Sequence, residues 1–331
     1  MSSNTIASKS WQSLSWKGWG YAIMLCAYSF LAYKLITFNQ YDALSEQWNN
    51  MPATQFWWLT GVFFLLPINW LLEAIKWQML TARLQALTLK KAYKAVLAGI
   101  STGFFTPNRV GEMVGRMLFL NAENRKAGAT LSIVNSLTQN LVMTLCGIPT
   151  AWLFFSKGKQ TFDANISDFL AVIGFCFVGF VGFYFALPWI SKRIAGSKFS
   201  LKINSFSSCL ITHTWIDLSR IIVISILRYA VFFTQFYLML RFWNVNITLL
   251  QGLIAIPVTY LFVTFTPSVA FSEAAVRSSY AVLIIGVFSN NVVGITLAGI
   301  TIWAINFVVP MMLGSVVMVY PKSSEANYLK H

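Results

Sequence analysis

The sequence predicts an all-α polytopic membrane protein, with about six full transmembrane helices and two short or re-entrant helical hairpins related as an inverted repeat. Composition is the first reason: the 331 residues are 57% hydrophobic and only 10% charged. A soluble domain devotes about a quarter of its residues to charge. The second is the presence of six apolar stretches, at 19–38, 56–75, 128–155, 168–190, 219–241 and 291–318. A helix needs roughly 20 residues to cross a hydrocarbon core about 30 Å thick. The third is a pair of further apolar segments, each broken by proline and each carrying Glu and Arg.

Taken in order, the N-terminal segment 1–55 holds the first span, 19–38. It is of full length and lacks a convincing small-residue cleavage site, so it reads as a retained span. The connection 39–55 carries Asp42 and Glu46 and no Lys or Arg. After the span 56–75 come Lys76, Arg83, Lys90, Lys91 and Lys94. Arg125 and Lys126 precede the span 128–155, and Lys192, Arg193, Lys198 and Lys202 follow 168–190. The positive-inside rule assigns these basic connections to the cytoplasm. Segment 156–167 balances Lys157 and Lys159 against Asp163, and faces the other side. Six crossings then leave both termini in the cytoplasm, where Lys9, Lys17, Lys322 and Lys330 also fit. Segment 83–95 mixes basic and apolar residues as an interfacial helix or a plain cytoplasmic loop does. Glu73 and Lys76 read as interfacial anchors, and Trp57, Trp58, Trp70 and Trp77 as part of an aromatic belt.

The first broken segment is 92–120, AYKAVLAGISTGFFTPNRVGEMVGRMLFL. Its arms, about 15 and 12 residues, reach only roughly 22 Å and 18 Å as helices. A hairpin that returns to its own side of the membrane suits that length, provided its tip is buried in protein or lines a polar cavity. The second segment, 249–286, has longer arms, so two full crossings remain open there. Phe105-Thr106-Pro107 matches Phe265-Thr266-Pro267, and Arg116 and Arg277 each follow a glutamate, Glu112 and Glu273, by four positions. The chain thus reads as one integral membrane domain, 1–331, with a first repeat at about 56–155 and a second at about 219–318. The topology admits the two hairpins from opposite faces. Inverted repeats with interrupted helices point to a binding site near the bilayer midplane.

Thr-Pro at each break suggests a helix start, with Thr106 and Thr266 as N-caps and Pro107 and Pro267 at the first helical position. Such N-termini favour an anion. Arg109 would stand in the first turn, where a bound anion offsets the unfavourable dipole. Arg228, in mid-span, needs a partner; Glu112 and Glu273 are candidates, and Gln235 shares its helical face. Arg109, Arg116, Arg228 and Arg277 outnumber Glu112 and Glu273, and that excess suits a phosphate-bearing ligand. Two roles stay open for Glu112–Arg116 and Glu273–Arg277: holding cargo, or neutralising one another as i,i+4 pairs.

The net charge of +14 is spread over short connections and not gathered on one face, so the membrane explains it better than nucleic acid. Cys26, Cys146, Cys176 and Cys209 form no CxxC pair, and His213 and His331 are the only histidines. No metal or other cofactor is therefore expected.

The run NWLLEAIKWQMLTARL, followed by GISTGFFTPNRVGEMVGRMLFL and later TFTPSVAFSEAAVR, resembles the membrane region of the lysylphosphatidylglycerol synthase and flippase-like family over roughly 55–320. The most specific element is Pro107-Asn108-Arg109-Val110-Gly111-Glu112, with Pro267 and Glu273 in the second hairpin. The second hairpin departs from Gly-Glu, reading Phe271-Ser272-Glu273. The resemblance implies a lipid translocase of a bacterial cytoplasmic membrane with two re-entrant hairpins. The chain ends soon after Tyr320, so the aminoacyl-transfer domain of some members, and lysine transfer, are not expected. A membrane lipid with an anionic or zwitterionic headgroup, phospholipid or polyprenyl-phosphate, is the expected cargo. The alternatives are an ion-coupled transporter of a soluble anion and an intramembrane transferase using a lipid-phosphate donor. For the latter, Asp42, Asp163, Asp168 and Asp217 form no acidic cluster in the sequence.

Overall fold

A chain in lipid must satisfy its backbone N–H and C=O groups internally, and here helices do so. The computed structural model describes residues 51–157, 165–195, 209–268 and 270–319, with single residues between 25 and 49. Among them are ten α-helices. The expected span 19–38 and the termini lie largely outside the described residues.

Helix α1 (Phe56–Thr81) has 26 residues, about 39 Å of helix at 1.5 Å per residue. It continues well past the expected end at 75. Next come α2 (Leu89–Phe104), a 3-10 turn at Pro107–Arg109 and α3 (Gly111–Met117), which form the first hairpin. Two long helices follow, α4 (Arg125–Lys157) and α5 (Asn165–Ala195). Helix α6 (Trp215–Phe242) leads into the second hairpin, α7 (Leu249–Phe265) and α8 (Ala270–Ile285). The last stretch is α9 (Val292–Trp303), a π turn at Ala304–Val308 and α10 (Val309–Val319). Four stretches among the described residues are long and apolar enough to cross a bilayer: Ala53–Thr81, Ala122–Ser156, Trp215–Phe242 and Val292–Val319. Helix α5 covers the expected span 168–190.

The two series of elements, α1 to α4 and α6 to α10, follow the same order. Thr88 caps α2 by accepting from the Lys91 N–H (3.3 Å), and Thr248 caps α7 by accepting from that of Gln251 (3.2 Å). Helices α1 and α6 run antiparallel: Arg83 beyond the end of α1 pairs with Asp217 at the start of α6 (2.7 Å), and Phe56 at the start of α1 meets Phe242 at the end of α6. Closing helices are exchanged between the series. Gly314 of α10 lies against the Leu97 backbone of α2, and Gly147 of α4 against Leu261 of α7.

Several local expectations are corrected. Segment 83–95 is no separate interfacial helix, because Thr88 caps α2 and residues from Leu89 onward belong to that arm. Pro107 opens only a single 3-10 turn, because Asn108 and Arg109 take left-handed conformations (φ 48° and 57°) that a right-handed helix cannot contain. Thr106 still accepts an N–H, that of Gly111 at 2.8 Å, so the capped helix begins later than the proline. Thr266 is extended, as a residue before proline prefers. Its hydroxyl donates back to the Phe262 carbonyl (2.8 Å), and α8 starts only at Ala270, so neither Thr266 nor Pro267 opens that helix.

The short first hairpin closes tightly because glycine faces its partner arm. A Cβ on Gly111 would stand 2.3 Å from the Thr102 carbonyl oxygen, and one on Gly115 2.4 Å from that of Ala98. Small residues four apart bring helix backbones together where lipid supplies no hydrophobic drive. The two hairpin tips then meet: Asn108 N–H donates to the Ser268 carbonyl (3.1 Å), and Ser268 N–H donates to Asn108 Oδ1 (3.3 Å).

Candidate functional site

Where the tips meet, α1, α3, α4, α6 and α8 converge on two buried carboxylates. Glu73 on α1 is the first, and each of its oxygens serves two partners. Oε1 takes Arg116 Nη2 (2.6 Å) and Asn135 Nδ2 (2.7 Å); Oε2 takes Arg228 Nη1 (2.8 Å) and Lys76 Nζ (3.0 Å). Glu273 on α8 is the second, paired with Arg277 (2.8 Å) and with Arg109 from the opposite tip. Arg116 also reaches Glu112 at 3.0 Å.

Aromatic faces support the cations, which cation–π attraction favours in a dry site. Arg109 lies 3.7 Å from the centre of the Phe307 ring, and Arg277 lies beside Tyr260 and Phe307. Phe307 is presented by the π turn, which displaces the helix register at that level.

The structure brings Arg109, Glu112, Arg116, Arg228, Glu273 and Arg277 into one region. Five of them line a cavity of about 400 Å³, and Arg116 stands behind Glu73 at 2% exposure. Both i,i+4 pairs form. Thr266 and Pro267 line the cavity, while Thr106 organises the first tip from behind.

Three readings of the sequence change. Glu73 and Lys76 are not interfacial anchors: they are 1% and 0% exposed, because α1 extends past 75 and carries them inside the bundle. Arg228 finds its carboxylate in Glu73, not in Glu112 or Glu273, and takes amide oxygens from Asn69 (2.8 Å) and Gln139 (3.3 Å). Gln235 donates instead to the Val62 carbonyl (3.1 Å). Of the tryptophans, Trp57 and Trp58 are exposed, but Trp70 and Trp77 are buried, and Trp77 lies 5.4 Å beneath Arg116. The missed carboxylate had a signal: Asn69, Glu73 and Lys76 recur at i, i+4 and i+7, one face of an otherwise apolar helix.

Lys76 and Glu73 enter the cluster with opposite signs, so the excess of positive charge expected from the sequence persists. Five cations face three carboxylates: Lys76, Arg109, Arg116, Arg228 and Arg277 against Glu73, Glu112 and Glu273. Elsewhere, Asp217 serves structure, closing a capping box with Thr214 at the start of α6. The ring nitrogens of His213 lie against the Cys209 and Leu80 carbonyls, at 2.9 Å and 3.2 Å.

Fold and buried charge together define a multi-pass, all-α membrane protein with a polar interior. The sequence pattern of the lysylphosphatidylglycerol synthase TM region matches residues 19–314. The chain belongs to that family, which ties it to membrane-lipid function. No curated protein and no solved structure matches it.

Proposed function

We propose that the protein is a lipid translocase, not an enzyme, that moves an amphipathic lipid with an anionic or zwitterionic headgroup across a bacterial cytoplasmic membrane, with both termini in the cytoplasm. The observation that carries this reading is the net positive cluster facing a cavity at the junction of the two tips. A buried charge in a membrane span is costly and is kept where a ligand or pathway needs it. Arg109 and Arg228, with side chains 32% and 16% exposed, are the cations nearest release. A phosphate competes with Glu273 and Glu73 for them, through bidentate bonds that arginine offers. Glu73, Lys76 and Arg116 hold the framework behind, while Glu112, Glu273 and Arg277 order the cavity wall. The antiparallel α1 and α6, the matched caps and the meeting tips favour two inverted repeats, about 56–155 and 219–318, with re-entrant hairpins. Such a pair lets one site face either side in turn, while acyl or prenyl chains stay in the bilayer.

The test uses purified protein in liposomes carrying fluorescent lipids of defined headgroup, with uptake of soluble phosphate measured in parallel. Accelerated movement of an anionic or zwitterionic lipid is expected. Phosphate uptake with no acceleration of any such lipid would instead establish a soluble-anion transporter.

A further inference from the structure

Helix α4 brings a second, uncharged set of polar side chains to the same cavity. Asn135, Ser136, Gln139 and Asn140 all line it. Asn135 and Gln139 stand one turn apart on one helical face, about 6 Å along the axis. In an apolar span each such amide is costly unless it finds a partner.

The charged cluster fixes which way both amides face. Asn135 donates through Nδ2 to Glu73 (2.7 Å), which leaves Oδ1 as its free atom. Gln139 accepts from Arg228 through Oε1 (3.3 Å), which leaves Nε2. Asn135 is 4% exposed, and neither Asn135 Oδ1 nor Gln139 Nε2 has a hydrogen-bond partner among the described residues. The cavity wall thus holds one oriented acceptor and one oriented donor beside the arginines, both shielded in this conformation and both without a partner among the described residues.

That pair discriminates between headgroup chemistries. A phosphate oxygen opposes the Asn135 oxygen, acceptor against acceptor, and an ammonium opposes the Gln139 N–H and the arginines. A hydroxyl both donates and accepts, so it satisfies either amide. Two amides a helical turn apart suit hydroxyls on separated carbons of a sugar ring. Glycerol presents two hydroxyls where a sugar ring presents several, so it satisfies the pair in fewer orientations.

Resting on the reading of this cavity as the seat of an anionic headgroup, the geometry points to a hydroxyl-reading subsite on α4. Asn135 and Gln139 bind the sugar of a glycosyl phosphate whose phosphate lies with Arg109 and Arg228. Ser136 and Asn140 extend the subsite along the adjoining edge of the helix.

The experiment measures binding to the full-length protein in nanodiscs. The probes are phosphatidylmethanol, phosphatidylglycerol and phosphatidylglucose, equal in charge and differing in hydroxyls, and water-soluble glucose 1-phosphate beside inorganic phosphate. Phosphatidylglucose is expected to bind about tenfold or more tighter than phosphatidylmethanol, with phosphatidylglycerol between them. Gln139→Leu, which leaves every partner of Glu73 in place, is expected to remove about three- to tenfold of that preference without weakening phosphatidylmethanol. Asn135→Leu is expected to remove the preference as well, together with the hydrogen bond that Asn135 gives Glu73. A Gln139-dependent preference for glucose 1-phosphate over phosphate supports the same recognition with a soluble source, and its absence beside the lipid preference assigns the lipid. Equal affinity for the three lipids, or a preference untouched by Gln139→Leu, overturns the subsite. If Arg228→Gln weakens none of the probes, the anionic site itself is refuted.

Discussion

Replacing Glu73 by glutamine keeps the shape of the side chain and removes the charge that three cations share. Lys76 and Arg228 lose the carboxylate they pair with, whereas Arg116 retains Glu112 at 3.0 Å. Lys76 is fully buried, so water cannot replace the lost partner. Breaking a buried ion pair by removing one member costs about 3–5 kcal/mol, because the remaining charge stands uncompensated. At about 2 °C per kcal/mol for a large chain, Glu73→Gln should lower Tm by about 6–10 °C. Thermal unfolding in detergent, followed by monodispersity on a sizing column, measures this. Lys76→Met added to Glu73→Gln removes one orphaned cation and should restore several degrees. Alone, Lys76→Met should be mild, since Glu73 keeps two arginines. A Glu73→Gln protein that melts within about 2 °C of the wild type, or a double variant no more stable than the single, would refute Glu73 as the electrostatic hub.

Close approach in the first hairpin predicts that Gly115→Ala destabilises, since its Cβ would meet the Ala98 carbonyl oxygen at 2.4 Å. Gly174→Ala on α5, with nothing within 4 Å, should be neutral or stabilising by up to about 1 kcal/mol; Tm of the two variants decides. At the first tip, Asn108→Val should cost about 1–3 kcal/mol, because a β-branched residue resists the left-handed conformation held at φ 48°. Asn108→Gly should lose only the side-chain bond to Ser268, a difference visible in the same melting assay. The hydrogen bonds joining Asn108 and Ser268 also predict that Asn108→Cys with Ser268→Cys cross-links on mild oxidation. Absence of a reducible mobility shift on gels would contradict the meeting of the tips.

Spans were legible in the sequence because length and hydropathy alone determine what can cross a bilayer, and α1, α4 and α6 lie where apolar runs placed them. The hairpins were legible as matched Phe-Thr-Pro breaks followed by Glu and Arg four residues apart; proline alone does not end a helix here, since Pro67, Pro149, Pro188 and Pro257 lie inside helices. The hairpin tips were not: Thr-Pro suggested two similar helix starts, whereas Asn108 and Arg109 take left-handed conformations at one tip and Thr266 closes the preceding helix at the other. Glu73 and Lys76 were misplaced by a single boundary. With α1 ended at 75 they fall near the headgroups; with α1 extended to Thr81 they lie inside the bundle. Arg228 was recognised as needing a carboxylate, but residues on different helices carry no sequence spacing that says which one. The amides of α4 attract no attention in a sequence, because their importance arises only when Glu73 and Arg228 orient them.

Headgroup-dependent translocation by wild-type and Arg228→Gln protein, reconstituted at matched density, tests the central claim most directly. Arg228→Gln leaves Glu73 with Lys76 and Arg116, so the fold should persist while a charge-assisted contact to phosphate is lost. Such a contact is worth about 1.5–3 kcal/mol, so the initial rate for a phospholipid present below saturation should fall about tenfold to a hundredfold. An unchanged rate in a stably folded Arg228→Gln protein would contradict the claim that the cluster at the hairpin tips carries the headgroup.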